Sequence, residues 1–301
     1  MLPTLIQGEM DYWLCQPDAA LGSAVKSYFI ADVGRRSNAQ HELFMPDGYA
    51  ELVFVFNGGY ERVELDSSAP GRRLRRSYVI GGRSRSIVTR ESGGVKVIGV
   101  KLEPRLLRGL LRSPLTALRD QVVDLAELND RGLLELEQRL AECDDVVETV
   151  ATLDQFLLAR RAEFQQLDPV VEHVAKTIRA DHGGTPLTRT AKDLGIDPRT
   201  LERRFVAWCG MSAKSYARIA RFKHAYHAFL QDRDYLEGYY DQSHFSREYR
   251  FFTGSTPTRL AARRIPESTD VTNLLLTHLS FHEDFNALDT KKAVGHPTSS
   301  V

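Results

Sequence analysis

The sequence has little of what would place it in several common protein classes. Its three cysteines in 301 residues are widely separated, which indicates neither a disulfide framework nor a cysteine-rich zinc site. No segment approaches the roughly 20 consecutive apolar residues of a membrane helix. The first nine residues lack the basic region and apolar core of a signal peptide. These absences predict a cytoplasmic protein with no membrane partner.

The short motifs typical of common enzymes are also missing. The sequence has no Gly-x-Ser-x-Gly nucleophile turn and no phosphate-binding Gly-Lys-Ser/Thr loop. His224 with His227, and His278 with His282, have helical spacing but no evident third ligand. We therefore predict a protein that is not an enzyme, with no catalytic residue, no metal site and no cofactor.

Charge is balanced overall but unevenly distributed. The formal net charge is zero, which argues against a non-specific binder of polyanions. Residues 169–264, however, contain 17 lysines and arginines against 10 acidic residues, whereas the rest of the chain contains 23 against 30. A basic C-terminal half beside an acidic remainder is expected when only one domain meets phosphate.

Two stretches of the basic half share one pattern, 44 residues apart. Each begins with an aspartate that can cap a helix, Asp197 or Asp241, and ends at a glycine, Gly210 or Gly254. Apolar side chains recur at i, i+4 and i+7, which predicts one buried face on each helix: Leu201, Phe205 and Trp208 in the first, and Phe245, Tyr249 and Phe252 in the second. The opposite faces carry long polar side chains, as reading of the DNA major groove requires.

The two stretches differ in what precedes them. A short helix over residues 187–194 and a turn at Gly195 complete a helix-turn-helix around the first stretch. Before the second stretch, residues 231–237 offer barely one helical turn. A recognition helix without its supporting helix loses apolar contacts, so we expect the second helix to be weakened, repositioned or non-functional.

The first hundred residues have the pattern of an antiparallel β domain. Pro46-Asp47-Gly48 is a turn signal, and Asn57-Gly58 predicts a hairpin between the strand at 51–56 and the strand at 62–65. Strands at this spacing favour a small barrel or sandwich, which can hold one small ligand. Arginines 72, 73, 75 and 76, with Arg83 and Arg85, form a basic cluster that favours a solvated loop over a site for an anion or phosphate.

After Pro104 the apolar period changes from two to about 3.6, which predicts helices. A helix from Asp144 to about Phe164 is interpreted as a packed core helix or, alternatively, a dimerisation helix. The fold class is therefore α+β: a small N-terminal β-barrel with helices, then an all-α domain. The predicted boundaries are 1–165, 166–265 and a flexible tail at 266–301.

Residues 169–264 resemble the DNA-binding half of AraC/XylS-type transcriptional regulators. Two runs of matched positions, followed by Gly254 and Pro257, carry the resemblance: Gly210-Met211-Ser212-Ala213-Lys214-Ser215-Tyr216 and Tyr239-Tyr240-Asp241-Gln242-Ser243-His244-Phe245-Ser246-Arg247-Glu248. The N-terminal half is similar to the cupin-like sensing half of one branch of that family, at Pro46-Asp47-Gly48, Gly81-Gly82 and residues 99–104.

The resemblance implies a sequence-specific, DNA-binding transcription regulator that responds to a small molecule. It assigns most base contacts to Arg199, Glu202 and Arg203, with Thr200 and Arg204 nearby for phosphate. The matched positions in the second helix are Gln242, Ser243, Ser246 and Arg247. Double-stranded DNA is the expected partner, and RNA polymerase, an effector and a second copy of the chain are further candidates.

Two alternatives stay open at this point. The chain is a degenerate paralogue or interaction protein if the shortened second motif has cost it operator binding. It is a DNA-alkylation repair enzyme only if its cysteines supply a nucleophile and a metal cluster, and three scattered cysteines with no Pro-Cys-His make that the weaker alternative.

Overall fold

The computed structural model describes residues 4–7, 11–33, 40–64, 71–91, 94–111, 115–164, 168–230, 234–254 and 256–257. Strands fill the first half of these residues and helices the second, so the predicted α+β class is confirmed. The predicted tail at 266–301 and the histidine pair at 278 and 282 lie outside the described residues. Among the helices that are described, none is long and apolar enough to cross a membrane.

The β half consists of two antiparallel sheets. Its strands are β1 (Thr4–Gln7), β2 (Asp11–Cys15), β3 (Val25–Val33), β4 (Gln40–Phe44), β5 (Ala50–Phe56), β6 (Tyr60–Glu64), β7 (Arg72–Leu74), β8 (Tyr78–Ile80), β9 (Ile87–Glu91), β10 (Val95–Leu102) and β11 (Val122–Asp124). One sheet has the order β1-β2-β3-β10-β5-β8-β11 and the other β4-β9-β6-β7. The two sheets face each other across a shared apolar core that includes Val53 of the first and Tyr60 of the second.

The hairpin predicted at Asn57-Gly58 is wrong. The strands on either side, β5 and β6, belong to different sheets and do not pair with each other. Asn57 and Gly58 both have positive φ, and a Cβ on Gly58 would lie 2.4 Å from the carbonyl oxygen of Gly94. Asn57 and Gly58 therefore form a turn, as the sequence indicates. This turn packs closely against the backbone of Gly94, and the chain then continues into the second sheet instead of pairing with β5.

Side chains along the central strands alternate between two cores, as the two-residue period of a strand requires. On β5, Val53 and Val55 face the second sheet, whereas Leu52 and Phe54 face the helices that come next in the chain and complete the β half. Those helices are α1 (Pro104–Leu111), α2 (Arg131–Glu142) and α3 (Val146–Ala159). Leu153 and Leu157 of α3 are buried in this core, which confirms the core interpretation of that helix.

The C-terminal half contains five further helices: α4 (Pro169–Ala180), α5 (Leu187–Asp193), α6 (Pro198–Cys209), α7 (Ala213–Leu230) and α8 (Gln242–Thr253). Three aspartates begin helices as the sequence predicts, since the side chains of Asp168, Asp197 and Asp241 accept hydrogen bonds from N–H groups of the first turns of α4, α6 and α8. Gly210 and Gly254 end α6 and α8 in the left-handed conformation. Both repeated stretches are therefore complete helices with the predicted bounds.

The turn that follows β4 joins the two halves of the molecule. Met45, at its start, is fully buried and belongs to the core of the helical half, together with Phe205 and Tyr216. Gly48 has φ +84, and a Cβ at that position would lie 2.9 Å from Cε2 of Tyr216. This turn is thus a plug from the β half that fills space among the helices.

Two ion pairs also join the β half to the helical half. Arg179 of α4 lies 2.9 Å from Glu103, directly after β10, and Arg105 of α1 lies 3.2 Å from Glu172 of α4. Glu103 and Arg105 are almost completely buried, so each charge needs its partner. The helical half is therefore held on the β half by an apolar plug and by two ion pairs between the halves.

We expect Gly48→Ala to loosen this junction. A non-glycine residue at positive φ costs about 1–2 kcal/mol, and the contact with Tyr216 adds a packing cost of about 1–3 kcal/mol. Gly195→Ala is the matched control, because Gly195 has φ +66 but nothing within 4 Å of its Cβ position. Chemical denaturation should show a clearly larger loss of unfolding free energy for Gly48→Ala, and equal losses would contradict the plug.

Candidate nucleic-acid interface

The N-terminal part of α6 presents long polar side chains to solvent. The helix packs through Leu201, Phe205 and Cys209, which are buried, while Arg199 and Arg203 are exposed. Neither arginine side chain has a hydrogen bond or ion pair with any described residue. Their guanidinium groups are therefore available for a partner outside the chain, as the prediction for this face requires.

The other predicted residues of α6 are less exposed. Thr200 and Glu202 are half-buried. Arg204 makes a bidentate ion pair with Asp168, in which Nε and Nη2 lie 2.7 and 2.6 Å from the two carboxylate oxygens. Asp168 also caps α4, so Arg204 ties the recognition helix to the first helix of the domain. A phosphate contact by Arg204 stays a prediction, and it competes with this pair.

Helix α8, like α6, exposes a polar face and buries an apolar one. Gln242, Ser243 and Arg247 are exposed and Ser246 is half-buried, whereas Phe245, Tyr249 and Phe252 are buried. The exposed groups occupy the first turns of the helix, which is where recognition helices contact bases. The structure thus places all of the predicted residues of the second helix on or beside a solvent-facing surface.

The support of α8 differs from that of α6, as the sequence predicts. Helix α5 precedes α6, but no helix occurs within residues 234–241, which lead into α8. Aromatic rings from this segment and from α7 cover the buried face instead: Tyr235 and Tyr239 lie 4.7 and 5.4 Å from Phe245 between ring centroids, and Phe229 of α7 lies 5.9 Å from it. Aromatic packing therefore replaces the missing helix.

A charged clamp adds to this packing. Arg218 of α7 donates hydrogen bonds of 2.7–2.9 Å to both carboxylate oxygens of Glu248 on α8. Its guanidinium carbon also lies 3.9 Å from the ring centroid of Phe251. A bidentate pair stacked on an aromatic ring constrains orientation as well as distance. Helix α8 is therefore held in a defined orientation on α7.

Side chains from the β half bind the C-terminal ends of both recognition helices. Arg108 of α1 donates a hydrogen bond of 2.6 Å to the carbonyl oxygen of Ala207 on α6, and its guanidinium carbon lies 4.4 Å from the ring centroid of Trp208. The Ser86 hydroxyl donates a hydrogen bond to the carbonyl oxygen of Phe252 on α8. The last carbonyls of a helix have no partner within it, so these two side chains act as caps supplied by the other half of the molecule.

No local signal in the sequence identifies these two caps. Ser86 and Phe252 are 166 residues apart, and Arg108 and Ala207 are 99 apart. The two helices consequently share a geometry that the sequence does not reveal, in which the N-terminal turns face solvent and the C-terminal ends are attached to the β half.

The arginine cluster of the β half and the histidines considered as metal ligands are surrounded by other side chains of the protein or by solvent. Arg72, Arg73, Arg75, Arg76 and Arg85 are exposed, and Arg72 donates a hydrogen bond to the carbonyl oxygen of Val122. Arg83, by contrast, is buried and pairs with Glu51 at 2.8 Å, so it does not belong to a solvated loop. The ring of His224 stacks on that of His182, with centroids 3.7 Å apart. Within the described part of the chain, no group of three or more side chains could hold a metal ion.

Comparisons with known proteins agree with this geometry. Residues 190–263 match the family described as "Helix-turn-helix domain", and residues 14–124 match one described as "Domain of unknown function (DUF6597)". No curated protein matches the chain.

Solved structures show only distant similarity. A crystal structure of ToxT from Vibrio cholerae has 9% sequence identity and a TM-score of 0.43, covering 79% of this chain and 97% of that one. ToxT with bound unsaturated fatty acid, from strain SCE256 of the same organism, has 10% identity and a TM-score of 0.41, covering 77% and 92%. Tomato vicilin has 11% identity and a TM-score of 0.28, covering 34% and 30%.

The helix-turn-helix match includes α6, α7 and α8, whose capped ends, buried stripes and exposed polar faces are those of a DNA-binding domain. This chain therefore carries a C-terminal DNA-binding domain of the AraC-type helix-turn-helix family.

Proposed function

We propose that this protein is a transcription regulator that reads double-stranded DNA with α6 and α8 together. One observation carries the proposal: both helices expose polar N-terminal turns, and both are attached by their C-terminal ends to the same β half. Two helices attached to one body keep a constant separation and tilt. Such a pair suits two successive major grooves on one face of a duplex.

Base recognition is assigned chiefly to Arg203 and Arg199 on α6. An arginine binds the two major-groove acceptors of guanine with a pair of hydrogen bonds, and Glu202 can accept from cytosine. On α8, Gln242 suits adenine and Arg247 suits guanine. The positive dipole ends of α6 and α8, with those first-turn N–H groups that the capping aspartates do not occupy, would position the helices against phosphates.

The cysteines give no support to alkylation repair. Cys15, Cys143 and Cys209 are all buried. Burial raises the pKa of the Cys15 thiol to about 11, and burial followed by the charge of Glu103 raises that of Cys209 further. Because the thiolate is the nucleophile, these cysteines are poor acceptors of an alkyl group.

Contacts with RNA polymerase and with a second copy of the chain would decide between activation and repression, and both stay predictions. A cytoplasmic location, where the protein reaches DNA directly, belongs to the same proposal.

Replacing Arg203 should reduce DNA recognition without loosening the fold. We expect Arg203→Ala to lose about 1–3 kcal/mol of binding free energy and to relax preference at one base position. The operator is first selected from random duplexes, and mobility shifts over a salt series then measure affinity. A degenerate paralogue would select no consensus, and a variant with unchanged specificity would contradict the role of Arg203.

Replacing Arg204, unlike replacing Arg203, should lower the stability of the fold. Burial raises the pKa of Asp168, but hydrogen bonds from Arg204 and the Val171 N–H outweigh it and hold that pKa below its ordinary value. The pair therefore stabilises the fold above about pH 4, near the pKa of an unfolded aspartate, and that stability is lost as the pH falls. Arg204→Ala should lower the melting temperature at pH 7, and the difference from wild type should shrink below about pH 4.

Removing the two caps should weaken the preference of the protein for one separation between the two DNA half-sites, which are the sequences read by α6 and α8. We expect wild type to prefer one separation between the sequences read by α6 and α8. The double variant Ser86→Ala with Arg108→Gln should keep most of its affinity for one half-site but discriminate less among separations, because the helix ends lose their attachment. Arg131→Gln, an exposed change elsewhere in the β half, is the control. An unaltered spacing profile would show that the caps do not set the separation.

A further inference from the structure

A polar cavity of about 400 Å³ lies at the junction of the two halves. Its walls come from the segment between β2 and β3, from the beginning of β3, from Tyr49 and Glu103 at strand ends, and from α4. Its lining includes Asp18, Ala19, Val25, Lys26, Glu103 and Arg179. Because Arg179 is on the DNA-binding half and the others are on the β half, a molecule in this cavity would touch both.

The wall opposite α4 is held in place by hydrogen bonds. The backbone N–H of Asp18 donates to Oδ1 of Asp154 on α3, at 2.9 Å, and the same oxygen accepts from the hydroxyl of Tyr28 at 2.7 Å. The Asp18 side chain in turn accepts from the N–H of Ala20. The cavity is therefore formed in advance, which lowers the entropic cost of binding.

Arg179 has hydrogen-bonding capacity left over at this cavity. Its bonds to Glu103 and to the Tyr216 hydroxyl all use Nη1, and Nε and Nη2 donate to none of the residues that the structure describes. Burial alone would lower the pKa of Arg179, but Tyr216 and Glu103 raise it above its ordinary value, so the guanidinium stays charged. Two donors of a charged guanidinium that lines the cavity are thus left for a ligand, and a planar carboxylate can accept from both.

The cavity lining restricts the chemistry of its occupant. Two basic side chains, Lys26 and Arg179, are balanced by two acidic ones, Asp18 and Glu103, and the apolar lining is confined to small groups, Val25 and the ring of Tyr49. A long acyl chain would find little apolar surface here, whereas a small molecule with both signs of charge would find partners for each. The volume is within the range of sites for small ligands.

We infer that this cavity binds a small zwitterion of the amino-acid class, with its carboxylate on Arg179 and Lys26 and its ammonium group toward Asp18 and Glu103. The inference rests on the proposed function, since it assigns the effector of that regulator. A carboxylate on Arg179 competes with Glu103 for the same guanidinium. The ligand therefore acts on the ion pair that holds α4 against the end of β10, and it changes DNA binding only by favouring one arrangement of the halves over another.

The test uses the full-length chain without DNA. The proteinogenic L-amino acids are screened singly by thermal shift, because a ligand that binds only the folded chain raises its melting temperature. Isothermal calorimetry then measures the best binder, the amine that lacks its carboxylate, the acid that lacks its amino group, and octanoate. We expect the amino acid to bind at least about tenfold more tightly than any of the other three, as the loss of one charged hydrogen-bonding group implies.

Variants locate the site. Lys26→Gln removes a charge from the lining, and Ala19→Trp fills the cavity from an exposed position, so both should weaken binding about tenfold or more. Lys176→Gln is the matched control, since Lys176 is on α4 one turn before Arg179 but pairs with Glu172 outside the cavity. The inference is overturned if no amino acid binds, if octanoate or the deaminated acid binds equally well, or if Ala19→Trp leaves the affinity unchanged.

Mobility shifts of these variants separate this inference from the proposed function. Variants that bind the selected operator normally but no longer respond to the amino acid would support both. Wild type that binds the operator but no zwitterion would refute the cavity assignment alone. Zwitterion binding by a chain that selects no operator would refute the DNA-reading proposal alone.

Discussion

The burial of one turn of the β half among the helices is the contact on which the rest of the structure depends. Met45 completes an apolar core that otherwise belongs to α4–α8, and Gly48 lets the backbone approach the ring of Tyr216. Tyr216 is the residue to which Arg179 donates, so the same ring touches both the plug and the lining of the cavity. The side chain of Tyr216 therefore takes part both in the packing of the plug and in the polar contacts of Arg179.

The position of both recognition helices follows from this contact. With the helical half seated, α1 comes close enough for Arg108 to reach the last turn of α6, and the turn before β9 brings Ser86 to the last turn of α8. A guanidinium near a helix C-terminus also offsets the partial negative charge there. The faces left for DNA are those that the β half does not cover.

Much of the helical half could be predicted because its signals are local. A capping aspartate, an apolar stripe and a terminal glycine act within a dozen residues, and the structure confirms all three in α8. In α6 it confirms the cap and the glycine, but Trp208 is half-buried and the buried stripe is Leu201, Phe205 and Cys209. The lack of a full supporting helix before α8 could also be predicted, because too few residues precede it. The sequence did not show that the rings of Tyr235 and Tyr239 would cover Phe245, because that depends on where α7 directs the chain.

The errors and omissions have a common physical origin in distance along the chain. Asn57-Gly58 has hairpin chemistry, but Gly94 decides where the chain goes next. The phosphate contact of Arg204 stays a prediction, but the sequence did not indicate its ion pair with Asp168, 36 residues earlier in the chain. The caps and the cavity likewise join residues from both halves, and no period or motif within one segment could indicate them.

The plug at Met45 limits how this protein could exchange parts with its relatives. A helical half cut away at the connection after α3 would lose the thioether from its apolar core, and its Arg179 would lose Glu103. A working hybrid therefore needs the loop that carries Met45 from the same parent as its helices. The β half and the helical half are therefore structurally matched to each other at this loop.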